Sequence, residues 1–149
     1  MEYRIGTEAD IRPICQLGKK MHAESEFQTL HWNEEKVLKW LDMNVKSPNR
    51  FVYCAYDNDT LSGVFIGSIS EFYFGNDRLA SDLLWYVGEA YRGTRVGIRL
   101  LKEFQKWATE QNVDRIQVGI SSGMSMDRTG ALLERMGFSQ IGGLYKVDR

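Results

Sequence analysis

The sequence predicts an α/β (α+β) fold, a three-layer domain with a central mixed β-sheet flanked by helices. Three observations predict it. Apolar residues alternate or run continuously in some segments and recur at helical spacing in others, so strands and helices are interleaved. The segment Leu79 to Val87 is nearly continuous in apolar character, as a strand buried on both faces should be. The length of 149 residues, with 43% apolar and 26% charged side chains, suits one globular domain spanning residues 1–149.

Tyr3 to Ile5 reads as a short first strand. Thr7-Glu8-Ala9-Asp10 is a helix-entry signal, and Pro13 favours Asp10 as the N-cap, because Pro13 then falls in the first turn where its missing N–H costs little. Ile14, Cys15, Leu17 and Met21 give that helix an inward stripe. A second helix runs from about Asn33 to Val45 and ends at Ser47-Pro48-Asn49. Strands follow at Phe51 to Tyr56, Leu61 to about Phe74, and Leu79 to Val87, with turns at Asp57-Asn58-Asp59 and Gly75-Asn76-Asp77. Gly97 to Gln111 carries Leu100, Leu101, Phe104, Trp107 and Ala108 at helical spacing. Ile116, Val118 and Ile120 alternate as a strand. A last helix covers about Asp127 to Met136 with Gly137 as its C-terminal cap, and two short strands are expected at Phe138 to Ile141 and Leu144 to Val147. The element order is β-α-α-β-β-β-α-β-α-β-β.

Composition excludes several classes. The 19 basic and 20 acidic side chains nearly cancel, which argues against bulk nucleic-acid binding. No apolar run suggests a membrane span, and the N-terminus carries no secretory h-region, so a cytoplasmic location is expected. Cys15 and Cys54 sit in apolar patterns without metal spacing, which reads as two reduced core thiols, and no metal site is expected. A Gly-x-Ser-x-Gly elbow and a P-loop are both missing from the sequence.

The most informative segment joins the buried strand to the third helix, Val87-Gly88-Glu89-Ala90-Tyr91-Arg92-Gly93-Thr94-Arg95-Val96-Gly97. The first N–H groups of a helix lack intrahelical partners and carry partial positive charge. A turn of small residues brings such groups close to an anion, and Arg92, Arg95 and Arg99 add charge, so the segment suits phosphate or pyrophosphate.

Tyr91 to Leu101 resembles motif A of the GNAT superfamily of N-acetyltransferases, Arg/Gln-x-x-Gly-x-Gly/Ala followed by a leucine-rich helix. Arg4 to Ile11, Leu132 to Phe138 and the element order resemble the same family over essentially the whole chain. The resemblance implies acetyl-CoA or another acyl-CoA as cofactor. It implies pyrophosphate on the amides of Arg92, Gly93, Thr94, Arg95, Val96 and Gly97, and a pantetheine arm beside Trp85, Tyr86 and Val87, where two parallel strands splay. Residues Ile116 to Ile120 would form the other wall, and a backbone N–H near Val87 would polarise the thioester carbonyl. Arg95 replaces the usual middle glycine. The tyrosine that often protonates the departing thiolate is Leu133 here, and an asparagine often found seven residues earlier is Met126. Another group, or solvent, would then protonate the thiolate, or the protein binds acyl-CoA without turnover, as a sensor or interaction module.

Aminolysis of a thioester needs a base for the ammonium proton. Asp82 is the first candidate because it interrupts an apolar strand, where a carboxylate pKa rises; Glu71 and Glu89 are weaker. Tyr145, on the expected last strand, is the candidate phenol near the thiol. From His22 to Glu35 the chain holds four glutamates, both histidines and no Lys or Arg. In the family this region often covers the acceptor, so Glu24, Glu26 and Trp32 are candidate contacts for a cationic amine, small-molecule or protein-borne. Family members are often dimers, so a homodimer is a further expectation.

Overall fold

Five strands form one sheet in the order β1 (Glu2–Ile5), β2 (Arg50–Asp57), β3 (Thr60–Glu71), β4 (Arg78–Val87) and β5 (Arg115–Gln117) in this computed structural model, which describes residues 1–120 and 122–149. Neighbours are antiparallel from β1 to β4, and β4 and β5 run parallel, so the sheet is mixed as expected. Period-two alternation sorts the side chains of β3. Val64 and Ile66 face helices α1 (Ile11–Glu24) and α2 (Glu34–Lys46), where they meet Ile14, Leu17 and Leu41. Phe65 and Ile69 face α3 (Val96–Glu110), where they meet Leu100, Leu101 and Phe104, and Leu133 of α4 (Met126–Arg135) joins that core. Helices thus cover both faces in three layers. Cys15 and Cys54 are free and buried in the α1 side of the core.

α3 lies close against the sheet because β3 offers a glycine beneath it. A Cβ at Gly67 would stand 2.3 Å from the Phe104 ring, inside any tolerable contact. The Phe104 ring instead stacks on Phe65, with centroids 4.4 Å apart.

Asp10 does begin α1, but it also reaches backwards. Its carboxylate accepts from the Thr7 amide at 2.7 Å, from Arg4 at 2.8 and 2.9 Å, and from the Tyr56 hydroxyl at 2.6 Å. A single-turn 3-10 helix, Glu8–Asp10, lies between. Asp10 is 1% exposed, so β1, β2 and the start of α1 are joined at one buried carboxylate. Gly137 ends α4 as expected, with φ +94° and the Phe138 amide bonded to the Leu133 carbonyl at 3.0 Å.

Two expectations fail. The alternation at Ile116, Val118 and Ile120 continues, yet the β4–β5 ladder joins only Leu79–Ser81 to Arg115–Gln117. A bulge at Leu83 shifts the β3–β4 register between Ile66 and Gly67, and β4 bends away from β5. The two expected C-terminal strands, Phe138 to Ile141 and Leu144 to Val147, are also not formed. Phe138 packs on the core beside α4, but residues 139–149 are exposed. Two four-residue runs broken by Gly142-Gly143 make a ladder only if an edge receives them, and β5 provides a three-residue edge. No helix among the described residues is long and apolar enough to cross a membrane.

Candidate active site

The fork between β4 and β5 opens a cavity of about 470 Å³, walled by β4, the start of α3 and α4. Beyond Ser81, β4 has no strand partner on its β5 side among the described residues, so part of its backbone edge faces the opening. Trp85, Tyr86 and Val87 line it. Asp82 sits at the crotch of the fork. Its Oδ1 accepts from the Gly119 amide at 2.9 Å, tying β4 to the chain just past β5. Burial pushes its carboxyl pKa above the ordinary range, and that amide only partly offsets the shift. Asp82 thus lines the cavity with a carboxyl whose pKa is raised by burial.

The turn before α3 uses its amides alternately. The Arg92 amide bonds Glu89 O at 3.4 Å, the Thr94 amide bonds Tyr91 O at 3.3 Å, and the Val96 amide meets Thr94 Oγ1 at 3.4 Å. The Thr94 hydroxyl itself donates to Tyr91 O. The amides of Gly93, Arg95, Gly97 and Ile98 have no acceptor among the described residues. Of the six amides expected to cradle an anion, every second one is therefore available. Gly93 adopts φ +80°, a conformation that favours glycine. Gly97 packs near β4, where a Cβ would reach Val87 at 3.4 Å, an ordinary contact distance. Gly93, Thr94 and Gly97 line the cavity; Val96 is buried in the core instead, and Arg95 lies outside the lining.

The arginines of this turn are not arranged as free anion receptors. Arg92 reaches the cavity, but its guanidinium bonds both Glu24 carboxylate oxygens, the Tyr86 hydroxyl at 2.9 Å and Val87 O at 3.2 Å. Arg99 pairs with Glu103 at 3.0 Å and lies 4.8 Å over the Tyr3 ring.

The acidic segment is correspondingly neutralised. Glu24 accepts from Arg92 and Tyr86, which holds its pKa below the usual carboxylate range. Burial and the Glu24 bond push the Tyr86 phenol up to about 12. Glu26 pairs with Lys146 at 2.6 Å. Trp32 packs against Gly18 and, at 5.4 Å between centroids, against His22; it serves the α1–α2 core and does not line the cavity. The local lack of Lys and Arg in sequence is thus met by cations from distant parts of the chain. The segment does help close the cavity, because the Glu26 amide bonds Ser122 O at 2.7 Å and Phe27 lines the wall.

Tyr145 lies on no strand, is 95% exposed and is not in the cavity wall, so the phenol sought there is not delivered. Leu133 points into the core, while Thr129 and Leu132 of α4 face the cavity. Arg128 and Arg135 face it too, and sequence reasoning missed both. Their seven-residue spacing on one helix face was the available signal.

A family model described as the acetyltransferase (GNAT) family matches residues 19–138. The chain belongs to the GNAT acetyltransferase family. No curated protein sequence matches this GNAT chain. Its fold is similar to that of a predicted acetyltransferase from Clostridium acetobutylicum, solved with acetyl-CoA (TM-score 0.77, 15% identity, covering 99% of this chain and 95% of that one). It is also similar to an aminoglycoside antibiotic 6'-N-acetyltransferase from Acinetobacter haemolyticus (TM-score 0.77, 15% identity, 100% and 98% covered). A third similar structure is AAC(6')-Iy in complex with the bisubstrate analogue CoA-S-monomethyl-acetylneamine (TM-score 0.79, 12% identity, 99% and 97% covered). These likenesses make the five-strand mixed sheet with four helices a GNAT fold.

Proposed function

We propose that this protein is an N-acetyltransferase that moves an acetyl group from acetyl-CoA to a primary amine by direct transfer in a ternary complex. The observation that carries the reading is that one cavity contains both an open β4 edge and the free amides of Gly93 and Gly97 at the α3 turn. The edge suits the amide groups of an extended arm, and the free amides suit phosphate oxygens. Gly93, where a side chain would crowd the approach, fits the same use.

Acetyl-CoA supplies an activated thioester carbonyl. A backbone N–H of the β4 edge polarises that carbonyl. Asp82 accepts the ammonium proton, directly or through one water. With Leu133 in the core and Tyr145 in solvent, neither position offers a phenol to a leaving thiolate, and solvent at the open end of the cavity would supply that proton. A thiol with a pKa of about 8.5 leaves readily without a dedicated phenol. Membership of the family and the complexes of similar proteins with acetyl-CoA and with an aminoglycoside analogue support an amine acceptor.

Calorimetric titration with acetyl-CoA, followed by CoA release across a panel of amines, tests the reading. Binding with amine-dependent release supports it. Binding without release for any amine leaves an acyl-CoA-binding module, and the absence of binding removes the cofactor site. Asp82→Asn keeps an oxygen for the Gly119 amide and removes the base. We expect kcat to fall by about 10²-fold at neutral pH with the acetyl-CoA KM unchanged. A base must be deprotonated, so wild-type activity should decline on the acid side, beginning above the ordinary carboxylate pKa, and that limb should be missing in the variant. Identical pH–rate profiles would remove Asp82 from this role.

A further inference from the structure

We propose that Arg128, on α4, is the side-chain cation that grips ligand phosphate at the turn before α3, with Arg135 as a second contact farther along the same helix. This rests on the cofactor assignment above and adds to it residues outside the segment that resembles motif A.

The turn's own arginines are committed or displaced. Arg92 is held by Glu24, Tyr86 and Val87 O; Arg99 is held by Glu103; Arg95 does not line the cavity. Arg128 approaches from the opposite wall. Its Nη2 lies 3.2 Å from where a Cβ on Gly93 would stand, directly over the turn whose Gly93 amide is free. Among the described residues it forms no ion pair and no hydrogen bond, so its planar five-donor fork is not committed to a carboxylate. Such a fork bridges two phosphate oxygens where a lysine would meet only one. Arg135 stands two turns on, about 10 Å along the axis at ~1.5 Å per residue. It borders the same cavity, with the uncharged Thr129 and Leu132 between the two arginines. Two cations at that spacing on one wall suit a ligand with two separated anionic groups.

Calorimetry with CoA on the full chain, with pantetheine followed by NMR titration as the phosphate-free probe, tests this. Arg128→Ala should weaken CoA binding by 10- to 100-fold and leave pantetheine unaffected. Arg128→Lys should fall between, and Arg135→Ala should show a smaller loss confined to CoA. Because Arg128 is exposed, the variants should melt with the wild type. CoA affinity in Arg128→Ala within twofold of wild type overturns the inference and leaves the acetyltransferase reading standing. Equal losses for CoA and pantetheine overturn it as well, by showing an effect through structure. If wild-type protein binds no CoA, the cofactor assignment falls first and takes Arg128's role with it.

Discussion

Gly93→Val should weaken acetyl-CoA binding by about 10- to 100-fold while the fold survives. Gly93 stands at φ +80°, where a β-branched residue costs about 1–3 kcal/mol, and relief of that strain moves the neighbouring amides. The new side chain would also press on Arg128, whose Nη2 is 3.2 Å from the Cβ position. The turn is exposed and carries little of the core, so the melting temperature should change far less than the affinity. Calorimetry against acetyl-CoA beside a thermal melt separates the two effects. An unchanged affinity would show that phosphate does not rest on this turn.

Asp10→Ala should cost about 3 kcal/mol of stability, the low end for breaking a buried ion pair, because Arg4 keeps 38% of its side chain in solvent. The change leaves the Tyr56 hydroxyl and the Thr7 amide without their acceptor. For a chain of this size the melting temperature should drop by roughly 10 °C. pH gives an independent check. Burial alone would raise the Asp10 pKa, but Arg4, Tyr56 and the Thr7 amide outweigh it and lower it to about 2, against 3.8 for the free group. A carboxyl depressed on folding contributes stability that is complete above its unfolded pKa and is lost as pH falls towards the folded value. About 2 kcal/mol should therefore disappear between pH 4 and pH 2 in the wild type. Asp10→Asn should lack that dependence, and urea melts across the interval would show it.

Local chemistry made much of the fold legible. Pro13 placed the start of α1 at Asp10, Gly137 placed the end of α4, and the alternation in β3 sorted two cores. The glycines at 93 and 97 marked the turn where free amides collect. What sequence spacing did not contain was pairing between distant segments. The glutamates at 24 and 26 look like an unbalanced acidic lid until Arg92 and Lys146 are brought to them. Arg92 looks like a phosphate ligand until the same contact is seen from the other side. The C-terminal runs have strand-like alternation, but a strand is a property of two chains of hydrogen-bonding groups and only one was readable. Arg128 escaped notice because a charged residue on a helix face looks solvated until the facing wall is known.

The bulge at Leu83 has a consequence for how β4 is written in the chain. Before it, Ala80 joins the α3 core, and Asp82 stands opposite Gly67 on that same face. After it, even-numbered Leu84 and Tyr86 join the α1 core and odd-numbered Trp85 turns towards α3. β4 is thus one strand with two phases, and a single extra residue is the frame-shift between them. That slip allows two even positions, 82 and 86, to present a carboxylate to one face of the sheet and a phenol to the other. Removing the extra residue would leave Asp82 and Tyr86 three positions apart, an odd spacing that keeps them on opposite layers, so the deletion should straighten β4 without exchanging its two faces.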